Sequence, residues 1–143
     1  MSSARTVIDQ AIAAWNDKDE ARFVALGSPD IELLSSGAPD AKGTDAFRGW
    51  FQMWSEAFPD RQVRYHNIVS DDDQAIGEGV FTGTHKGILH LPTGDVPPTG
   101  RSLNVPYVAV FRTSAGKITY MRHYLNVMDL MVQLGLVAEP ATA

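Results

Sequence analysis

Apolar residues near the start of the chain recur every three or four positions. They are Val7, Ile8, Ala11, Ile12 and Trp15. This spacing predicts an amphipathic first helix, with Ser2 and Ser3 as its candidate caps. A second, shorter helix is predicted from about Asp19 to Leu26, where Gly27 can end it in a left-handed conformation.

A short strand is predicted from Ile31 to Ser35, and a loop rich in glycine and proline separates it from a third helix. Thr44 and Asp45 can cap this helix, and Pro59 ends it because proline disfavours a helical residue before it. One face of the helix carries an aromatic stripe at Phe47, Trp50, Phe51, Trp54 and Phe58. Such a stripe is more often core than a ligand platform, and both interpretations stay open.

The pattern changes to that of strands from Gln62 onward. Alternation predicts that Val63, Tyr65, Asn67 and Val69 share one face of the first strand. The remaining predicted elements, in chain order, are a polar turn at Asp71–Asp73, a strand at Ala75–Lys86, a loop from about Leu91 to Gly100, a hairpin of Ser102–Thr113 with Lys117 to about Asn126, and a helix at Val127–Leu134.

Three helices followed by a run of antiparallel strands indicate an α+β domain with helices packed on one face of a curved sheet. The chain has 143 residues, of which 44% are hydrophobic, and this size suits one domain with its own core. No internal repeat or linker interrupts the pattern. We therefore assign residues 1–143 to a single domain.

The amino-acid composition argues against several kinds of binding partner and bound metal. The formal net charge is -5 with no run of Lys or Arg, which argues against nucleic acid, since phosphate binding needs clustered basic side chains. The chain has no cysteine, which excludes disulfides, and its histidines lack metal-ligand spacing, so no metal site is expected. The apolar runs are too short to cross a bilayer, and no secretory signal opens the chain. A cytoplasmic location is expected.

Motifs in the second half of the chain occur in a recognisable order. They are Phe81-Thr82-Gly83-Thr84-His85-Lys86-Gly87, Pro98-Thr99-Gly100-Arg101, Gly116-Lys117-Ile118 and Gln133-Leu134-Gly135. With Phe58-Pro59-Asp60, this order resembles the SnoaL-like polyketide cyclases, a branch of the nuclear transport factor 2-like superfamily. The resemblance implies a cone-shaped α+β barrel whose curved antiparallel sheet wraps against three N-terminal helices around one deep pocket. It also implies intramolecular aldol ring closure of an aromatic polyketide ester, without metal or organic cofactor.

Candidate catalytic residues follow from the resemblance. Many family members carry an acid/base Asp six positions after the Lys of the Gly-Lys-Ile turn, and here that position is His123. Imidazole can both accept and donate a proton near neutrality, so His123 is the candidate acid/base, with a core histidine as the competing interpretation. Tyr107 and Asn126 are its candidate hydrogen-bonding partners, although Asn126 can instead cap the last helix. Ala109 stands where the family usually has a second polar residue.

Strand alternation places His123 and Tyr107 on inward faces of the last two strands. Their neighbours are expected to line an apolar, aromatic pocket suited to a flat polycyclic ligand. The expected substrate-binding residues are Leu33, Ser35, Trp50, Trp54, Tyr65, His85, Ala109, Phe111, Met121 and Leu125. The connection from His90 to Pro98 is often shorter in the family, so it is expected to shape or cover the pocket mouth.

Three functions stay open at this point. The first is a cofactor-independent polyketide cyclase, and the second is a cofactor-free hydroxylase or an epoxide-opening enzyme of polyketide biosynthesis. The third is a non-catalytic ligand-binding or assembly protein. Epoxide opening on this fold uses an Asp-Arg-Asp set that the inward faces lack, so it ranks below hydroxylation. Outward-facing Val108, Val110 and Tyr124 are expected to be buried in a homodimer or homotetramer, as in relatives.

Overall fold

A computed structural model describes residues 3–35 and 39–138. The helices are α1 (Ala4–Asn16), α2 (Glu20–Ala25), α3 (Thr44–Ala57) and α4 (Val127–Gln133). The strands are β1 (Gly27–Ser35), β2 (Ala41–Lys42), β3 (Gln62–Ser70), β4 (Gln74–Thr84), β5 (Leu89–Leu91), β6 (Gly94–Val96), β7 (Ser102–Ser114) and β8 (Lys117–Leu125).

The first two helices form where the apolar spacing predicts them. Ser3 caps α1 by accepting a hydrogen bond from the Thr6 amide, as predicted, whereas Ser2 lies outside the described residues. The left-handed ending predicted for α2 is wrong, because Gly27 does not have a positive φ and instead begins β1. A Cβ atom at Gly27 would lie 2.8 Å from the Phe47 ring, so packing is the reason for glycine there.

The third helix begins after Gly43, which has a φ of 98° and occupies the N-cap position. The prediction that Thr44 or Asp45 caps this helix is therefore wrong, since both belong to its first turn. The helix ends at Ala57, and Pro59 follows closely, as predicted. Glycine suits the cap because the chain must turn sharply from β2 into the helix.

The main sheet has six strands in the order β2-β1-β8-β7-β4-β3. It is curved and open, with β2 and β3 as its edges, and the predicted α+β class is confirmed. The expectation of a purely antiparallel sheet is wrong at one pair, because β1 and β8 run parallel. Parallel neighbours need a long connection, and most of the chain lies between these two strands.

Strand β3 contains a β-bulge at His66. Its pairing with β4 passes from Tyr65 opposite Gly79 directly to Asn67 opposite Glu78. The predicted common face is therefore confirmed only for Val63 and Tyr65, while Val69 is 66% exposed. One extra residue reverses the alternation beyond it.

The predicted loop from Leu91 to Gly100 is partly wrong, because β5 and β6 form a small separate hairpin there. The predicted hairpin of β7 and β8 is confirmed, with Ala115 and Gly116 both at positive φ in its turn. Such a turn matches the twist of the flanking strands.

The hydrophobic core lies between the inner face of the sheet and helices α1 to α3, where Ile8, Phe47, Ile31 and Ile118 are fully buried. Within residues 3–35 and 39–138, no helix has the length and hydropathy needed to cross a bilayer. Those same residues include no cluster of three or more His, Cys, Asp or Glu side chains placed to hold a metal ion.

Candidate active site

One cavity opens between the inner face of the sheet and the helices, with an accessible volume of about 140 Å³. Its wall is almost entirely apolar and aromatic. Among the described residues that line it there is no Asp, Glu, Lys or Arg. An uncharged wall favours a neutral, largely apolar ligand, because a buried unpaired charge is costly.

Most of the expected site residues line this cavity. They are Ser35, Trp50, Trp54, Tyr65, Tyr107, Phe111, Met121, His123 and Leu125. Register explains how the sheet brings His123 into the group: it lies opposite Ala109 on β7 and opposite Ser35 on β1. Trp50 and Trp54 reach the same space from α3.

Four expected residues lie outside the cavity wall. Leu33 is 6% exposed within the hydrophobic core, and Ala109, whose side chain is only a methyl group, is completely buried. Asn126 caps α4, since its side-chain oxygen accepts a hydrogen bond from the Asp129 amide. That local contact holds the side chain at the helix end.

His85 is the fourth residue that the structure places elsewhere. It is fully buried against Phe58, and its Nδ1 accepts a hydrogen bond from the Thr99 amide. Burial lowers the pKa of His85. Its backbone also pairs with Gly100 and Arg101, so His85 fastens the segment that follows β6 to the end of β4.

The imidazole of His123 is enclosed by aromatic rings. It stacks on Trp50 with ring centroids 5.0 Å apart and planes 24° apart, and it lies 5.8 Å from the Tyr107 ring. Phe111 approaches edge-on at 6.2 Å. Burial lowers the pKa of His123 to about 4. The ring is therefore neutral near pH 7 and can accept a proton from a bound molecule.

Two tyrosine hydroxyls lie in the cavity wall, which also includes the polar side chains of Ser35 and His90. The side chains of Tyr65 and Tyr107 lie next to each other, with ring centroids 5.6 Å apart. Burial raises the pKa of both phenols, so both keep their protons. When one hydroxyl donates to the other, the second phenolic proton can be offered to a ligand oxygen.

The position of Tyr65 depends on the absence of a side chain on the neighbouring strand. A Cβ atom at Gly77 would lie 2.6 Å from Cδ1 of Tyr65. The tyrosine ring therefore lies directly over the backbone of β4. Sequence patterns did not single out Gly77, because a glycine within a strand more often marks a bulge.

A row of stacked groups connects the helical side of the cavity to His123. The fully buried guanidinium of Arg61 lies 4.2 Å from the Trp15 ring centroid, and burial lowers the pKa of Arg61 to about 10. Trp15 in turn lies 4.8 Å from Trp50, which stacks on His123. Arg61 remains charged near pH 7, and the faces of Trp15 and Phe51 offer that cation favourable contacts.

Sequence reasoning missed several residues of the wall. The helical side is formed by Ala11, Ile12, Trp15, Phe23 and Met53. The strand and α4 side adds Val63, Phe81, Val127 and Leu130. The apolar stripe of α1 was visible in the sequence, but nothing in it shows that part of the stripe borders empty space.

For the mouth of the cavity, the sequence predicted the segment that forms it but not the individual residues. His90, Leu91 and Pro92 from the β5–β6 hairpin line it. They fall in the connection that was expected to shape the mouth, although no individual residue there was assigned a role.

The chain matches one family model, that of the SnoaL-like polyketide cyclases, over residues 5–134. None of the curated proteins compared with the chain matches it significantly. Many solved structures do match. AclR, a candidate hydroxylase from Streptomyces galilaeus, is 26% identical with a TM-score of 0.79, and the match covers 96% of this chain and 83% of AclR.

Two candidate polyketide cyclases are similar to the chain as well. IdmH from Streptomyces antibioticus is 25% identical with a TM-score of 0.75, and the match covers 92% of this chain and 97% of IdmH. The protein from Xanthomonas campestris pv. campestris is 22% identical with a TM-score of 0.80, and the match covers 92% of this chain and 96% of the Xanthomonas chain. With the family model spanning residues 5–134, these likenesses lead to one conclusion: the chain belongs to the SnoaL-like polyketide cyclase family.

Proposed function

We propose that the protein is a cofactor-independent polyketide cyclase that closes a ring by an intramolecular aldol reaction. The observation that carries the proposal is a neutral, buried His123 in an aromatic cavity that is also lined by the neighbouring side chains of Tyr65 and Tyr107. A base and a donor on one apolar cavity wall are the groups that an aldol closure needs.

His123 is the base in this mechanism. It takes a proton from the carbon between the ester carbonyl and its neighbouring carbonyl, where acidity is already raised. The enolate carbon then attacks a ketone or aldehyde carbon of the same molecule, which forms the ring bond and an alkoxide. The stacked face of Trp50 stabilises the imidazolium while it exists.

The tyrosine pair completes the reaction. The free phenolic proton of Tyr65 or Tyr107 hydrogen-bonds to the carbonyl oxygen as negative charge develops on it. The alkoxide finally takes the proton held by His123, which returns the base to its neutral form. Atoms are conserved, so the product has the mass of the substrate.

Hydroxylation is the second candidate function. It is favoured by the 26% identity to AclR over 96% of this chain. In that case His123 would again remove a proton, and the substrate carbanion would add to molecular oxygen to give a hydroperoxide. A second equivalent of substrate in its hydroquinone form would then donate two electrons and two protons, which converts the hydroperoxide to the alcohol and water. Epoxide opening ranks lower, because no Asp, Glu or Arg lines the cavity within the described part of the chain.

The test is to incubate the purified protein with a panel of tricyclic polyketide esters and to analyse the products by intact mass. A product of unchanged mass and new retention time supports cyclisation, and one heavier by a single oxygen atom supports hydroxylation. Absence of any product, with the esters still bound, would favour a ligand-binding protein instead.

The His123→Ala variant is the direct check on the mechanism. We expect it to lose turnover by about 100-fold or more while it still binds the ester, since removing a general base typically has an effect of this size. His66→Ala is the matched control, because the His66 side chain is exposed on β3 beside Glu78 and does not line the cavity. Equal turnover in wild type and His123→Ala would remove His123 from the mechanism.

A further inference from the structure

The β5–β6 hairpin is a wall of the cavity that the main sheet does not support. It forms its own two-stranded sheet, and His90, Leu91 and Pro92 from it line the cavity mouth. A two-stranded hairpin is marginally stable by itself in water. Its position therefore depends on contacts with the elements beside it.

His90 makes the polar contacts that join the hairpin to its neighbours. Its Nδ1 lies 2.7 Å from Oδ1 of Asp95, the residue paired with it across the hairpin. Its Nε2 lies 3.4 Å from Oε2 of Glu56, in the last turn of α3. The other charged residues of α3, Asp45 and Arg48, are paired with each other at the opposite end of the helix.

Two carboxylates thus flank one imidazole. The hydrogen bond to Asp95 is the main reason that the pKa of His90 is raised, and the charges of Asp95 and Glu56 add to it. A protonated ring can donate from both nitrogens at once, whereas a neutral ring can donate from only one. The three-residue contact is therefore strongest below the raised pKa and weakens as the pH increases through it.

We propose that Glu56, His90 and Asp95 form a clasp that holds the hairpin against α3 and so positions Leu91 and Pro92 over the bound ligand. Ligand affinity then depends on the clasp, while the proton transfers at His123 do not. The proposal rests on the proposed function only in placing an aromatic ligand in this cavity.

The clasp can be tested without any ligand by amide hydrogen exchange. We expect the protection factors of Leu89, Leu91 and Val96 to fall as the pH rises through the pKa of His90, because a detached hairpin cannot hold its own hydrogen bonds.

Variants of the two carboxylates provide the comparison. Glu56→Gln and Asp95→Asn should show reduced protection of the hairpin amides already at pH 6. Protection in Asp45→Asn, the matched change elsewhere on α3, should equal that of wild type. Hairpin protection that is the same in all four proteins would overturn the clasp.

Affinity for a neutral aromatic probe provides the second measurement. Methyl anthraquinone-2-carboxylate has no titratable group, so any pH dependence of its binding belongs to the protein, and quenching of Trp50 and Trp54 fluorescence reports it. We expect Glu56→Gln and Asp95→Asn to weaken binding at pH 6 by about two- to fivefold, the range for exposed ion pairs. We expect kcat on an accepted ester to stay unchanged while KM rises.

The two measurements separate the clasp from the proposed function. If the probe does not bind at any pH, the aromatic cavity of the proposed function is contradicted, and the exchange result still decides the clasp. If the probe binds with the same affinity in wild type, Glu56→Gln and Asp95→Asn across pH 6 to 9, the dependence of affinity on the clasp is overturned.

Discussion

At the scale of single residues, the environment of His123 supports the proposal that this residue acts as the base where relatives are expected to have Asp. Burial lowers its pKa to about 4, so the ring is a neutral base near pH 7 rather than an imidazolium. Trp50 holds one face of the ring at 5.0 Å and limits its orientation. The same burial would raise the pKa of a carboxylate, which would then be partly protonated near pH 7.

The same burial links stability to pH. The folded-state pKa of His123 is lowered, so the unfolded chain binds more protons between about pH 6.5 and pH 4, and stability falls as the pH falls through that range. We expect His123→Phe to lose less stability than wild type on acidification from pH 7 to 4, with the difference at most about 3 kcal/mol. Urea unfolding at a series of pH values measures this. Parallel curves for the two proteins would show that His123 titrates normally.

At the scale of elements, the aromatic stripe of α3 serves two purposes at once. Phe47 and Phe51 are buried in the core, while Trp50 and Trp54 are partly exposed and form the cavity wall. The core interpretation is therefore confirmed for Phe47 and Phe51, and a ligand platform at Trp50 and Trp54 stays a prediction. The apolar face of α3 is wide enough for one part of it to pack on the sheet while the adjoining part faces the cavity.

The pairing of β3 with β4 is the second feature at this scale. The bulge at His66 follows Tyr65 directly, and Gly77 leaves the space that the Tyr65 ring fills. Together they bring the Tyr65 hydroxyl to that of Tyr107 on β7. Bulges commonly re-aim a side chain next to a functional site in this way.

We expect Gly77→Ala to displace the Tyr65 ring, since the new methyl group would lie 2.6 Å from it. Overpacking of this kind lowers the free energy of unfolding by about 1–3 kcal/mol. Turnover by the folded protein should also fall, because Tyr65 no longer lies beside Tyr107. Thermal unfolding and ester turnover together measure the effect. The control is Gly49→Ala on α3, where a Cβ atom meets nothing within 4 Å. Unchanged turnover in Gly77→Ala would show that the tyrosine pair has no part in catalysis.

At the scale of the whole molecule, no layer within residues 3–35 and 39–138 covers the outer face of the open sheet. Ile76 on β4 is 41% exposed and Tyr124 on β8 is 51% exposed. Val108 and Val110 on β7 lie between them, since Ile76 pairs with Val110 and Val108 pairs with Tyr124. We propose that a second copy of the chain covers this apolar face.

A charge in the middle of that face should separate the copies. We expect the wild-type protein to sediment as a dimer or tetramer at micromolar concentration and Val108→Glu to sediment as a monomer. Position 108 lies opposite Glu78 and Tyr124, so the new carboxylate would have no cation directly opposite it, and a buried unpaired carboxylate is costly. Val69→Glu is the control, since Val69 is 66% exposed on the edge strand β3. A wild-type monomer at that concentration would contradict the proposal.

Whether a prediction from the sequence is confirmed depends on how far apart in the chain the interacting residues lie. The Ser3 cap, the end of α3 before Pro59 and the turn at Ala115 and Gly116 depend on a few neighbouring residues, and all three are confirmed. The predictions for Gly27 and for the far half of β3 are wrong. The conformation of Gly27 is set by a contact with Phe47, twenty positions later in the chain, and the far half of β3 is set by a bulge in its pairing with the next strand, β4. Neither the contact nor the bulge is visible in the alternation of residue types.

Local patterns in the sequence thus determined the α+β class, most element positions, the strand faces of His123 and Tyr107, and the family resemblance. Only the tertiary structure decided that His85 and Asn126 lie outside the cavity and that β1 runs parallel to β8. It also decided that Gly77 makes room for Tyr65 and that Glu56 meets His90 across the cavity mouth. These features depend on which side chains come into contact, and which cavities are left unfilled, when segments distant in the sequence pack together. The spacing of residue types along the chain does not reveal those contacts.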